Sequence, residues 1–321
     1  MVVIGTLKVW GCFADNSYRV LPSRRRIWCC RLRGYMMLLS GRTRLLGVIG
    51  HPIAHTLSPR MHNAAFAVDK KGTGEAEYAY VAMDVRPERL PGAVAGLLAL
   101  GFVGFNVTMP HKEAILSLVD ELDETARLAG AVNTVVVGEG ESLRGLNTDG
   151  SGFVEACGEA GVSFAGRRVL ILGAGGAAAA IAVAVLGEEA SRLYVANRTP
   201  RKAGELRAKL SEVALRAEVL ACSIDEVEAV VEEVEVLINA TYLGMKEGDH
   251  LPFPAGSLST EKVVCDAVYL AGRETELIRR AREAGARVVP GDRMLLYQGV
   301  QAQRVWTGRE PNVEAMDGAL A

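Results

Sequence analysis

The chain has 321 residues, 50% of them hydrophobic and 23% charged, with a formal net charge of −2. That length predicts two domains rather than one core, and the near-neutral balance argues against a nucleic-acid or anionic-membrane partner. No apolar run approaches the ~20 residues of a membrane span.

Cysteines stand at Cys12, Cys29, Cys30, Cys157, Cys222 and Cys265, without zinc-like spacing. The last three fall singly in predicted helices or strands. Buried, reduced thiols and a cytoplasmic compartment are therefore expected. The stretch 1–40 carries Arg24-Arg25-Arg26 and Trp28-Cys29-Cys30, has Asp15 as its only acid, and shows no helical or strand periodicity. It reads as a disordered extension, or as sequence upstream of a true start at Met36 or Met37, in preference to an Arg-rich transit segment.

Regular patterning begins at Arg44. A short apolar strand is predicted over Leu45 to Gly50, then a helix over Ser58 to Lys70 with Ser58 as N-cap and Pro59 in its first turn. A strand over Tyr78 to Val85, a helix over Pro87 to Leu100 and a strand over Phe102 to Thr108 follow. Pro110 is expected to open a helical turn. Helices near Glu113 to Val119 and Glu121 to Leu128 come next. Strands over Ala131 to Val137 and Leu143 to Leu146 are joined by a turn at Gly138-Glu139-Gly140.

After Asp149 a helix leads to Arg168-Val169-Leu170-Ile171-Leu172-Gly173, an apolar run of the kind buried in a parallel sheet. Strands are predicted over Arg192 to Ala196, Ala217 to Leu220, Val234 to Asn239, Lys262 to Val268 and Ala286 to Pro290, mostly separated by helices. A last helix runs from Met294 through Trp306. The alternation is a βαβ series and argues a doubly wound α/β sheet.

Three places carry chemistry. Gly173-Ala174-Gly175-Gly176-Ala177-Ala178 fits GxGxxA directly after a strand and at the head of an alanine-rich helix, the context of a dinucleotide pyrophosphate site. The next strand ends in Asn197-Arg198-Thr199-Pro200-Arg201-Lys202, with no acid and three cations. A carboxylate there would hold the ribose of NAD, whereas guanidinium and ammonium groups suit the 2′-phosphate of NADP. The alternative is a solvated basic turn.

Upstream, Asn106 and Thr108 lie at alternate positions of a strand end, so they are expected on one face, and Lys112 follows. Asn147-Thr148-Asp149-Gly150 is a second polar strand end. A lysine and an aspartate on such ends can meet across a cleft, as proton transfer to an alcohol or ketone requires. Thr56 and Ser58 place two hydroxyls before a helix, where a carboxylate can be held; capping alone is the blander reading. His55 and His62 have no acid or cysteine to complete a ligand set, so both are read as structural and no metal is expected.

HTLSPRMHN, NVTMPHK, GAVNTV, NTDG, GAGGAA, NRT, INATYLGM, DAVY and GDRMLLYQGVQAQRVWTG occur in that order. On these motifs the chain resembles the shikimate dehydrogenase family, NADP-dependent reductases of 3-dehydroshikimate, from about Arg44 to Gly308. The resemblance implies an α/β substrate domain, 41–148 completed by 291–321, and a Rossmann NADP domain, 149–290. It implies that Thr56 and Ser58, helped by Tyr269, hold the substrate carboxylate, while Asn106, Thr108, Asn133 and Gln298 bond the ring hydroxyls. Lys112 and Asp149 would be the catalytic pair. Gly173, Ala174, Gly175, Gly176, Ala177, Asn197, Arg198, Thr199, Lys202 and Gly291 would contact the cofactor.

Two positions depart from the family pattern: Thr56 replaces the more frequent Ser, and Gln303 stands where an aromatic is common. A quinate or dual quinate/shikimate dehydrogenase using NAD, a catalytically silent NADP-binding sensor, and a folate- or tRNA-linked reductase are the competing readings. Monomer and homodimer both stay open.

Overall fold

The computed structural model describes residues 10–12, 18–20, 29–32 and 35–320, apart from 70–74, 213, 215 and 247. Two short antiparallel pairs come first: β1 (Trp10–Cys12) with β2 (Tyr18–Val20), and β3 (Cys29–Leu32) with β4 (Tyr35–Leu38). Most of the predicted extension, including Arg24 to Arg26, lies outside the described residues. Its end does not: Met37 is buried in the core with Leu46, Phe66 and Tyr78, and Leu38 bridges Glu75.

The first large sheet contains β5 (Arg44–Gly50), β6 (Tyr78–Asp84), β7 (Phe102–Val107), β8 (Glu121–Leu122), β9 (Thr134–Val137) and β10 (Leu143–Leu146), in the order β6-β5-β7-β9-β10-β8. β5, β6 and β7 are parallel, whereas β9 runs antiparallel to both β7 and β10. Helix α1 (Ser58–Val68) packs on one face; α2 (Leu90–Ala99) and α3 (Glu124–Ala129) serve the other.

The second sheet is wholly parallel: β11 (Arg168–Leu172), β12 (Arg192–Ala196), β13 (Glu218–Cys222), β14 (Val236–Asn239), β15 (Val263–Asp266) and β16 (Arg287–Val289), ordered β13-β12-β11-β14-β15-β16. This is the doubly wound arrangement that the βαβ alternation predicts, its order reversing beside β11. Helices α4 (Asp149–Glu159), α5 (Gly176–Gly187) and α6 (Pro200–Ser211) cover one face. Helices α7 (Val227–Glu233) and α8 (Glu276–Glu283) cover the other. Central strands β14 and β15 are buried at every residue, which is why their sequence does not alternate.

The chain returns through α9 (Gly291–Thr307), which packs along α4 and places Ala302 and Trp306 in the first sheet's core. A final helix, α10 (Val313–Gly318), is capped by Asn312, whose side chain accepts from the Ala315 amide at 2.8 Å. Cys157, Cys222 and Cys265 are free and buried.

Several local expectations need correction. Pro110 does not open a helix: the Met109–Pro110 bond is cis, and a turn closes from the His111 amide to the Thr108 carbonyl at 2.9 Å. His111 is buried and reaches the Val85 carbonyl at 2.7 Å. That tether keeps the segment tight, and only a 3-10 helix, Ala114–Leu118, follows. The helix placed over Glu121 to Leu128 begins at Glu124 instead, because the Asp123 carboxylate caps the Ala126 amide at 2.8 Å. Residues 121–122 are an edge strand beside β10. Ser58 is not the N-cap of α1; Leu57 is, without a side-chain bond, and Ser58 begins the helix. The predicted end of that helix, Lys70, lies outside the described residues.

Candidate active site

Strand ends of the first sheet and the glycine-rich turn of the second face each other. Gly176 marks the contact, since a β-carbon there would lie 2.8 Å from Ala131 Cβ and 3.4 Å from Lys112 Cβ. Only glycine permits that approach.

Lys112 is pinned through its backbone, its carbonyl accepting from the Val132 amide at 2.8 Å. Its Nζ donates to Asp149 Oδ2 at 2.5 Å, with 19% of the lysine side chain and 6% of the aspartate exposed. Asp149 starts α4, its amide donating to Asn147 Oδ1 at 3.0 Å, and Asn147 Nδ2 donates to the Ala131 carbonyl. Its other oxygen, Oδ1, accepts from Asn133 Nδ2 at 2.8 Å. The carboxylate therefore holds the ammonium with one oxygen and is itself oriented through the other.

Asn133 gathers the surrounding groups. Its Nδ2 also approaches Thr148 Oγ1 at 3.0 Å and Gln298 Oε1 at 3.5 Å, and its Oδ1 accepts from the Thr148 amide and the Thr134 hydroxyl. Gln298, on α9, donates to the Leu295 carbonyl at 2.8 Å. Asn106 Nδ2 donates to the Asn133 carbonyl and to Thr134 Oγ1, both at 3.0 Å. Thr108 follows β7 and is half-buried; its amide donates to the Ile49 carbonyl at 2.9 Å.

At the head of α1, Thr56 Oγ1 donates to Ser58 Oγ at 3.2 Å and accepts from the Ser58 amide at 3.3 Å. Tyr269, in the segment that follows β15, meets them. Burial raises its pKa, and contacts with the Thr56 hydroxyl and Leu57 amide oppose the rise. Thr56, Ser58 and Tyr269 thus converge, as do Asn106, Asn133, Gln298, Lys112 and Asp149.

Sequence reasoning missed Tyr80. Its hydroxyl donates to Asn106 Oδ1 at 2.6 Å, and its ring stacks on His62 with centroids 4.3 Å apart. Alternation along β6 and the need of a buried phenol for a partner were the available signals. His62 is fully buried and bonded to Gln303 Oε1 at 3.3 Å. Burial lowers its pKa to about 4, with Gln303 opposing. His55 is exposed. Among the described residues no three His, Cys, Asp or Glu side chains cluster as metal ligands, and no helix is long and apolar enough to cross a membrane.

Across from them, Gly173 has φ +120° and α5 begins at Gly176 without a side-chain cap, while Gly175 faces open space. Ala174 and Ala177 line the same turn, both partly exposed. Arg198, Thr199 and Lys202 are exposed after β12, and Asn197 Nδ2 donates to the Thr199 carbonyl at 3.1 Å. Arg201 pairs with Glu205 at 2.7 Å, while Arg198 and Lys202 have no ion pair among the described residues. Gly291 packs against the Val268 and Asp266 carbonyls. Asp266 joins the ends of β14 and β15: it accepts from Asn239 Nδ2 at 2.9 Å, the Val268 amide at 3.0 Å and the Thr275 hydroxyl at 2.6 Å. Burial pushes its pKa up to about 6 against those three bonds.

Residues 48–135 match a shikimate dehydrogenase substrate binding domain, 156–244 a shikimate / quinate 5-dehydrogenase domain, and 293–321 a shikimate 5′-dehydrogenase C-terminal domain. A shikimate dehydrogenase (NADP(+)) of Rubrobacter xylanophilus is 55% identical over 283 residues, 88% of this chain and 97% of that one. The structure of a Thermus thermophilus shikimate 5-dehydrogenase with NADP(H) and shikimate superposes with a TM-score of 0.75 at 36% identity, covering 87% of this chain and 98% of the other. That of a Corynebacterium glutamicum quinate dehydrogenase with NAD gives 0.78 at 33%, covering 86% and 98%. With this likeness along nearly the whole patterned chain, the protein belongs to the shikimate dehydrogenase (NADP+) family.

Proposed function

We propose that the chain catalyses the reversible NADPH-dependent reduction of 3-dehydroshikimate to shikimate, on the route to chorismate and the aromatic amino acids. The observation that carries this reading is the Lys112–Asp149 pair at 2.5 Å, braced by Asn133 where the two sheets face each other.

The residues fit NADP. The amides at the head of α5 and the open space over Gly175 suit a pyrophosphate. Arg198 and Lys202, without an ion pair among the described residues, suit a 2′-phosphate, with Asn197 and Thr199 beside them. NADPH held there would supply a hydride to the substrate's C3 carbonyl carbon.

As the carbonyl oxygen gains charge, the Lys112 ammonium stabilises it and delivers the proton. Asp149 fixes the ammonium and takes part in returning its proton from solvent. Thr56, Ser58 and Tyr269 hold the carboxylate. Asn106, Thr108, Asn133 and Gln298 bond the ring hydroxyls and so set which carbon faces the cofactor.

In this reading residues 41–148 and 291–321 form the substrate domain and 149–290 the NADP domain, with closure across the two crossings that flank α4 and α9. The three buried thiols are consistent with a reducing cytoplasm. The test is NADP+ reduction driven by shikimate with the purified chain. No turnover from folded protein would refute the assignment.

A further inference from the structure

Tyr80 is 1% exposed, on a strand whose following residues, Val81 and Ala82, face outward, and four residues surround it. Asn63 clamps its backbone from both sides: Asn63 Nδ2 donates to the Tyr80 carbonyl and Asn63 Oδ1 accepts from the Tyr80 amide, each at 2.8 Å. His62 stacks on its ring with an interplanar angle of 18°. Its hydroxyl donates to Asn106 Oδ1 at 2.6 Å, and Ser58 lies near enough to the phenol to oppose the rise that burial gives its pKa.

These groups lie in a polar line. The Thr56 hydroxyl donates to Ser58, Ser58 neighbours the phenol, the phenol donates to Asn106, and Asn106 donates to the Asn133 carbonyl. Asn133 then donates to Asp149, which holds Lys112. Tyr80 is the link between the hydroxyl pair at one end and the amide cluster at the other.

We propose that Tyr80 is a positioning residue that sets the spacing between the carboxylate-holding hydroxyls and the ring-hydroxyl-binding amides, acting through Ser58 and Asn106. The inference rests on the substrate reading above. An asparagine amide is nearly symmetric in shape and can present either end to a ligand. A phenol donor at Oδ1, with acceptors at Nδ2, leaves Asn106 one orientation. Burial holds the phenol protonated, so it stays a donor across the working pH range. Without it, buried Oδ1 would lose its donor, and only the Nδ2 bonds to the Asn133 carbonyl and Thr134 would hold the amide in place.

The test is Tyr80→Phe in the intact chain, assayed for shikimate oxidation against NADP+. The parent must first turn over shikimate; if it does not, the substrate reading fails and Tyr80 is not at issue. With an active parent, Tyr80→Phe should raise the shikimate KM roughly tenfold, in line with the loss of one buried bond. The KM for NADP+ should hold and kcat should stay within about threefold.

Replacement of Tyr80 by 4-aminophenylalanine, which keeps shape and donor, should return the shikimate KM to within about threefold of the parent. That variant stays informative if the phenylalanine protein fails to accumulate. An unchanged KM with kcat reduced in proportion to folded protein would overturn the proposal. So would a tenfold KM increase in the 4-aminophenylalanine protein.

Discussion

Lys112 and Asp149 stand 37 residues apart in the chain, yet their side chains meet at 2.5 Å. Asn133 bonds the carboxylate oxygen that Lys112 leaves free. A turn lysine, a helix-start aspartate and an asparagine between them form one unit.

Lys112→Ala should lower kcat by about two to four orders of magnitude, the range of a lost proton donor. Shikimate affinity should move far less, because the ammonium acts chiefly on charge that develops during reaction. Steady-state kinetics with equilibrium titration of shikimate separates the two; near-parental turnover in a folded variant would remove Lys112 from the mechanism.

Arg198→Ala should raise the KM for NADP+ about ten- to a hundredfold, matching a charge-assisted bond of roughly 1.5–3 kcal/mol. The value for NAD+ should barely change, since the two cofactors differ only in the 2′-phosphate. An equal penalty for both would mean that Arg198 serves the adenine or the domain instead.

Two buried groups should give stability opposing slopes in acid. Asp266 is raised to about 6 from 3.8. Its contribution is fully present below pH 3.8 and is lost as pH rises through about 6. His62 is lowered to about 4 from 6.5, so its contribution is present above pH 6.5 and is lost as pH falls through about 4. Each shift corresponds to about 3 kcal/mol at most. Asp266→Asn keeps two acceptor contacts and removes one slope. Urea melts from pH 4 to 7 should then show its stability rising more steeply with pH than the parent's; parallel curves would contradict the assignment.

Removing residues 1–35 should leave a folded, active enzyme, because patterned sequence starts at Arg44. Met37 is a different matter: it is 3% exposed in the core beside Leu46 and Tyr78. Met37→Ala should cost about 2–5 kcal/mol, the range for emptying a buried methionine site. Urea titration of the two proteins checks both halves, and a Met37→Ala protein as stable as its parent would place that side chain outside the core.

The second sheet was legible almost strand for strand, because unbroken apolar runs such as Val169 to Leu172 and the turn at Gly173 are signals written locally. The polar strand ends at Asn106 and Asn147 were legible for the same reason. Tyr80 was not, since its role depends on Asn106 and Ser58 reaching it through the fold. The turn at Pro110 was misread because Pro before a polar run resembles a helix start, and only the tether of His111 to Val85 decides otherwise. Asp123 was a plain capping residue, yet its helix was started too early, at Glu121, and the short helix that Asn312 caps was passed over. Met37 stands in a segment whose sequence carries no period, so only packing reveals it.

The most direct measurement is steady-state kinetics of the purified chain with shikimate and quinate, each against NADP+ and NAD+. The account predicts the highest kcat/KM for shikimate with NADP+, with either change of partner costing at least about tenfold. Higher kcat/KM for quinate with NAD+ would contradict it, and turnover of neither alcohol would leave the Lys112–Asp149 pair without the reaction assigned to it.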